Sequence, residues 1–170
     1  MFRDSFLVQP LTYLFEAGAN IPNSTLPLLL YKNIPAKGDP AVFFAETFRD
    51  NNWTNSWQNG IYNYHHFHSN THEVLAVCKG NALLHLGGPA GKMIEVSEND
   101  VIVIPAGVGH KCVQHSSAFM VTGAYPFGAE PDICRQGYDH TILKHIAAVH
   151  IPDTDPLYGK GRGVPVMWQL

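Results

Sequence analysis

From Gly60 onward the chain is a series of short apolar-rich runs separated by turn residues. The runs Ile61 to His68, Glu73 to Lys79, Ala82 to Leu86, Met93 to Val96, Val101 to Ile104, His110 to Gln114 and Phe119 to Tyr125 have the length and alternation of β-strands. Lys79-Gly80-Asn81, the Gly-rich stretch Gly87 to Gly91 and Glu98-Asn99-Asp100 supply the turns between them, so antiparallel hairpins are predicted. Seven such strands make a sandwich or a barrel. Val101 to Ile104 is apolar at every position. It therefore calls for cover on its outer side as well, by the N-terminal segment or by a second copy of the chain.

The first 59 residues read differently. Asp39 is placed to cap a helix, Pro40 suits its first position, and Phe44 and Phe48 fall on one face, which predicts a helix over about 40–52. Asn51 to Asn59, Asn-rich with two tryptophans, reads as an ordered loop. After Tyr125 the prolines at 126, 131, 152, 156 and 165 predict a loop-rich segment that wraps the strands. The chain is expected to form one domain, with an extension over 1–59, a barrel over 60–125 and a wrapping segment over 126–170.

Composition narrows the function. The 170 residues suffice for one core, and a net charge of -3 argues against a nucleic-acid partner. No apolar run reaches the length of a membrane span, the best candidate, Leu26 to Tyr31, being short and holding Pro27. Polar residues interrupt the N-terminal stretch too early for a secretion signal, so a cytoplasmic protein is expected. Three scattered cysteines without a C-x-x-C pair fit a reducing compartment.

Histidine is the exceptional residue type, with ten copies against eleven Lys plus Arg. His66 and His68 are two apart on a predicted strand and so share a face, Glu73 starts the next strand, and His110 follows the rigid turn Pro105 to Gly109. Three imidazoles and a carboxylate suit a divalent metal, with positions left for water or substrate.

At these residues the chain resembles the cupin superfamily. The first cupin motif reads here as Gly60, His66, His68, Glu73 and Gly80, and the second as Asn99, Pro105, Gly107, His110 and Gln114, with Asn99 standing for a glycine and Gln114 for an asparagine. The chain is also similar over most of its length to small bacterial cupins of the YjlB type, through Asn52 to Trp57, Gly60 to Glu73, Leu83 to Gly88, Val101 to Lys111 and Asp155 to Gly159. The resemblance implies an all-β cupin double-stranded β-helix, a jelly-roll barrel with an N-terminal helix and wrapping terminal segments. It also implies a metal site of His66, His68, Glu73 and His110, holding Fe, Mn, Ni or Zn. It brings no substrate.

Alternation then makes pocket candidates of Tyr62 and Tyr64, on the face of His66 and His68, and of Cys112 and Gln114, on the face of His110. Tyr64 and Gln114 are the residues expected to orient a substrate, and Cys112 is expected to fill core. His72 is expected at the rim or surface and His85 on the outside, with His65 similar. The expected activity is that of a metal-dependent enzyme, dioxygenase-like, decarboxylase-like or isomerase-like, acting on a small polar molecule. A non-catalytic binding or sensor module is the alternative. A homodimer is expected, without nucleic-acid or membrane partners, and few basic residues are expected in the lumen.

Overall fold

The computed structural model describes residues 7–169, so the ends of the predicted N-terminal extension and C-terminal wrap lie outside the described residues. The strands are β1 (Leu11–Tyr13), β2 (Leu28–Tyr31), β3 (Trp53–Asn59), β4 (Glu73–Lys79), β5 (Asn81–Leu86), β6 (Lys92–Ser97), β7 (Val101–Ile104), β8 (His110–His115) and β9 (Met120–Pro126). The helices are α1 (Pro40–Asp50), α2 (His140–Ala148) and α3 (Val164–Met167). A six-stranded sheet in the order β1-β2-β7-β4-β9-β3 faces a three-stranded sheet β6-β5-β8, every pairing being antiparallel. This is the jelly-roll arrangement. None of the described helices is long and apolar enough to cross a membrane.

The large sheet is buried on both faces, and β4 shows how. Leu75 and Val77 join Ile102 and Ile104 of β7 against Ala82, Leu84 and Leu86 of the small sheet. Val74, Ala76 and Cys78 join Val101 and Val103 on the opposite face, beneath Phe44 and Phe48 of α1 and beneath Leu157, Val164 and Trp168 of the C-terminal segment. Each fully buried phenylalanine contributes roughly 1.5–3 kcal/mol. The chain thus covers the outer side of Val101 to Ile104 by itself, and that strand does not require a second copy. The parity that sends Leu75 and Val77 between the sheets also carries Glu73 there.

Helix α1 begins as predicted, with the Asp39 carboxylate accepting from the Ala41 and Val42 amides at 2.8 and 3.3 Å. Beyond the short elements β1, β2 and α3, which were not expected, the main differences are in three places. Ile61 to His68 forms no regular strand, and its backbone pairs only through isolated bridges, His66 to His110 and Phe67 to Cys134. The strand lies earlier, in β3, which pairs with β9 at the sheet edge through a bulge between Thr54 and Trp57. Its Asn, Ser and Gln side chains face solvent, so it lacks the apolar alternation of an interior strand. Helix α2, capped by Asp139, breaks the expected loop; it is a short surface helix with no fully buried residue.

The C-terminal segment is pinned by Asp155. Its carboxylate accepts from the Tyr31 hydroxyl at 2.6 Å and from the amides of Leu157, Tyr158 and Val164 at 2.9, 3.1 and 3.1 Å. Gly163, at φ +56°, is required there, because a Cβ would lie 2.0 Å from Asp155 Oδ2.

Candidate metal centre

His66, His68 and His110 converge between the sheets, each offering one ring nitrogen, with those atoms within 4.8 Å of one another. Their positions come from different devices. His110 opens β8, and the His66 and His110 backbones exchange N–H···O bonds of 3.2 and 2.9 Å. The preceding turn is tied down twice, by the Gly107 amide donating to the His68 carbonyl at 2.8 Å and by the Gly109 amide donating to Asn23 Oδ1 at 3.2 Å. Gly107, at φ +91°, has Asn23 O where a Cβ would be, 2.4 Å away. This is the rigid turn expected from Pro105 to Gly109. Glu73 is placed by β4, its Oε1 lying 3.5 Å from His68 Nε2 and 3.2 Å from His110 Nε2.

The proton positions follow from the partners. His66 Nδ1 contacts the Tyr64 carbonyl at 3.1 Å, His110 Nδ1 the Val108 carbonyl at 3.1 Å, and His68 Nδ1 the Asp132 carbonyl. A carbonyl only accepts, so each Nδ1 is the N–H donor and each neutral ring keeps its lone pair on Nε2. Nε2 of His68 and of His110 are buried and have no hydrogen-bond donor. Two lone pairs therefore face a carboxylate oxygen, and only a proton or a cation reconciles acceptors so placed. This donor set fits a divalent first-row ion.

The same conflict governs the ionisation. Burial, aided by the neighbouring His110, pushes His66 down to about 3. Burial alone would lower His68, but the charge and hydrogen bonding of Glu73 outweigh it and raise this imidazole. Burial would raise Glu73, yet His68 and His110 hold its carboxyl well below the usual range.

A cavity of about 470 Å³ opens over the centre, reaching His66, His68, Glu73 and His110. Tyr62 lines it as expected, half-exposed at the mouth. Tyr64 lies behind it, stacked on Tyr62 at 4.9 Å, edge-on to His66 at 5.7 Å and capped by the Arg135 guanidinium at 3.5 Å, and it is not among the residues lining the cavity. Gln114 is not brought to the site. Leu84 pairs with Cys112 but Leu83 with Gln114, so a bulge at Val113 breaks the alternation and turns Gln114 to the exposed outer face. Cys112, before the bulge, is buried in the core as expected.

Other histidines divide similarly. His85 lies outside, edge-on to His65 at 4.8 Å. His72, expected at the rim, is buried, with Nδ1 accepting from the Ala106 amide at 2.9 Å, Nε2 donating to the His150 carbonyl at 3.2 Å, and its ring against Trp168.

Two neighbours of the candidate ligands escaped the sequence reading. Asp132 lends its carbonyl to His68, while its carboxylate accepts from the Ser69 amide at 2.7 Å and from the Ser69 hydroxyl. It lies 64 residues from His68, so no local pattern announces it. Tyr125 is more legible: Val74 pairs with Ala124, which sets Glu73 beside Tyr125 on the inner face. Burial, then the charge and hydrogen bonding of Glu73, raise the Tyr125 phenol, and Trp57 Nε1 donates to its oxygen at 2.8 Å.

Comparison with known proteins agrees with this picture. Residues 57–122 match the family model described as Cupin domain. The uncharacterized protein YjlB of Bacillus subtilis (strain 168) is 38% identical over 160 residues, which is 92% of this chain and 95% of that protein. Among solved structures, an acireductone dioxygenase from Bacillus anthracis with a cadmium ion in its active center overlaps with a TM-score of 0.44 at 14% identity, over 61% of this chain and 80% of its own. The epimerase RmlC from Legionella pneumophila Philadelphia 1, in complex with dTDP-4-keto-L-rhamnose, overlaps with a TM-score of 0.41 at 11% identity, over 86% of this chain and all of its own. Overlaps this loose carry no argument about chemistry.

Proposed function

The chain belongs to the cupin family, and we propose that it is a metal-dependent enzyme acting on a small molecule that reaches the metal through oxygen atoms. The observation that carries this reading is the convergence of His66, His68 and His110, with the Nε2 lone pairs of His68 and His110 turned toward the Glu73 carboxylate. In a self-contained polar cluster each acceptor has its own donor, whereas here a single proton or a cation must serve two imidazole lone pairs and the carboxylate between them. The bound ion would act as a Lewis acid or, if iron, would support reaction with dioxygen. The chain's own residues do the rest. The backbone carbonyls of Tyr64, Val108 and Asp132 fix the ring tautomers, the hydroxyl of Tyr125 steadies Glu73, and the adjoining cavity, within the usual 300–1,000 Å³ of small-molecule sites, holds the substrate. Three free cysteines suit work in the reducing cytoplasm.

Elemental analysis of protein purified without added metal is the first test, with about one divalent ion per chain expected. His68→Ala should lose that ion and keep a folded barrel. Stoichiometric metal retained in this variant would mean that the ligands are wrong. A metal-loaded protein that consumes neither oxygen nor any candidate diketone or carboxylate would point to the binding module instead.

A further inference from the structure

The cavity over the metal centre has a chemical character of its own. Its lining includes Trp57, Ile61, Tyr62, Leu75, Tyr125 and Ile133, three aromatic and three aliphatic side chains, with the neutral amides of Gln58 and Asn59 beside them. Two of the polar handles on these rings are already spent, since Trp57 Nε1 donates to the Tyr125 hydroxyl and that hydroxyl is engaged with Glu73. Trp57 and Tyr125 therefore offer a ligand mainly their apolar faces. The charged side chains are equally one-sided. Glu73 and Glu130 line the cavity, and no Lys or Arg does among the described residues. Arg135 has its guanidinium laid on the ring of Tyr64, which lies behind Tyr62.

We infer that the site selects a ligand with an apolar, ring-sized body and one oxygen-bearing head, carrying no more than a single negative charge. This rests on the metal-centre reading above and adds the substrate class to it. The head meets the metal, which is the site's one source of positive charge, and the body lies between Trp57 and Tyr125 on one side and the aliphatic residues on the other. A second anionic group on the body would meet apolar side chains and the neutral amides of Gln58 and Asn59, with the Glu130 carboxylate at the exposed edge, and would find no cation to pair with.

Ligands that share one metal-binding head and differ in body test this directly. The Co(II)-loaded protein is titrated with acetohydroxamate, benzohydroxamate and 4-carboxybenzohydroxamate, and the visible spectrum of the cobalt reports binding. Benzohydroxamate should bind roughly tenfold or more tightly than acetohydroxamate, a factor of ten being about what modest extra apolar burial supplies. The 4-carboxyl group should remove that gain. Ile133→Lys, at a half-exposed wall position that leaves the core untouched, should restore binding of the carboxylated ligand alone. Equal affinities for the ligands with methyl and phenyl bodies, or preference for the dianion in the unmodified protein, would overturn the inference while the cobalt spectrum still shows a loaded site. Failure to take up Co(II) at all would instead overturn the metal reading and the inference with it.

Discussion

Glu73 and Asp155 are carboxylates buried to nearly the same depth, at 3% and 0% exposure, in opposite surroundings. Asp155 is saturated with donors, one hydroxyl and three backbone amides. Glu73 faces two imidazole nitrogens whose rings have already committed their protons elsewhere. The first arrangement locks the C-terminal segment onto β2 and is complete as it stands. The second lacks such donors and needs a proton or a cation among its acceptors. Buried charge alone does not identify a functional site, since both groups have it; the sense of the neighbouring hydrogen bonds does.

The largest expected effect tests that contrast. Asp155→Ala leaves three amides and the Tyr31 hydroxyl without their acceptor, and should cost roughly 3–5 kcal/mol of unfolding free energy in a denaturant titration. Glu73→Gln, measured on metal-free protein, should cost less than about 1 kcal/mol or even stabilise, because the new amide N–H donates to an imidazole lone pair that had no donor. The same change should abolish stoichiometric metal. Equal losses of stability from the two substitutions would mean that both carboxylates are structural.

His72 joins the two regions, being next to Glu73 in sequence and packed on Trp168 of the C-terminal segment at 4.7 Å. It is held neutral, and burial pushes it down to about 4. Because this is below the value of about 6.5 in the unfolded chain, the unfolded state takes up the proton first. The stability at stake is present in full above about pH 6.5 and is lost as pH falls toward 4, by up to about 3 kcal/mol. Unfolding free energies between pH 7.5 and about 4.5 should therefore decline more steeply in the natural protein than in His72→Phe. Parallel slopes would show that the imidazole is not excluded from its charged form.

Much of the candidate metal centre was readable because its geometry is local. The two-residue spacing of His66 and His68 brought both to one site although no regular strand carries them, and the Pro105 to Gly109 turn aimed His110 as its residues implied. Strand β4 keeps its parity from Glu73 to Val77, which placed Glu73. What escaped depends on contacts distant in sequence or on broken parity. Asp132 reaches His68 from 64 residues away, and the bulge at Val113 reverses every later side chain of β8. Strand β3 is an edge strand with polar outward residues, and α2 is a surface helix, so neither has the burial pattern from which elements are recognised.

The smallest expected effect belongs to that bulge. If the extra residue at Val113 turns Gln114 outward, Gln114→Ala removes only a solvated amide, and unfolding free energy should change by no more than about 0.5 kcal/mol with metal content unaltered. Cys112→Ser, two residues earlier, places a hydroxyl in the apolar core and should cost about 1–3 kcal/mol. The pair reads the register of β8 from stability alone. A loss of metal, or a stability cost for Gln114→Ala comparable to that of Cys112→Ser, would mean that alternation runs unbroken from His110 and that Gln114 points into the cavity after all.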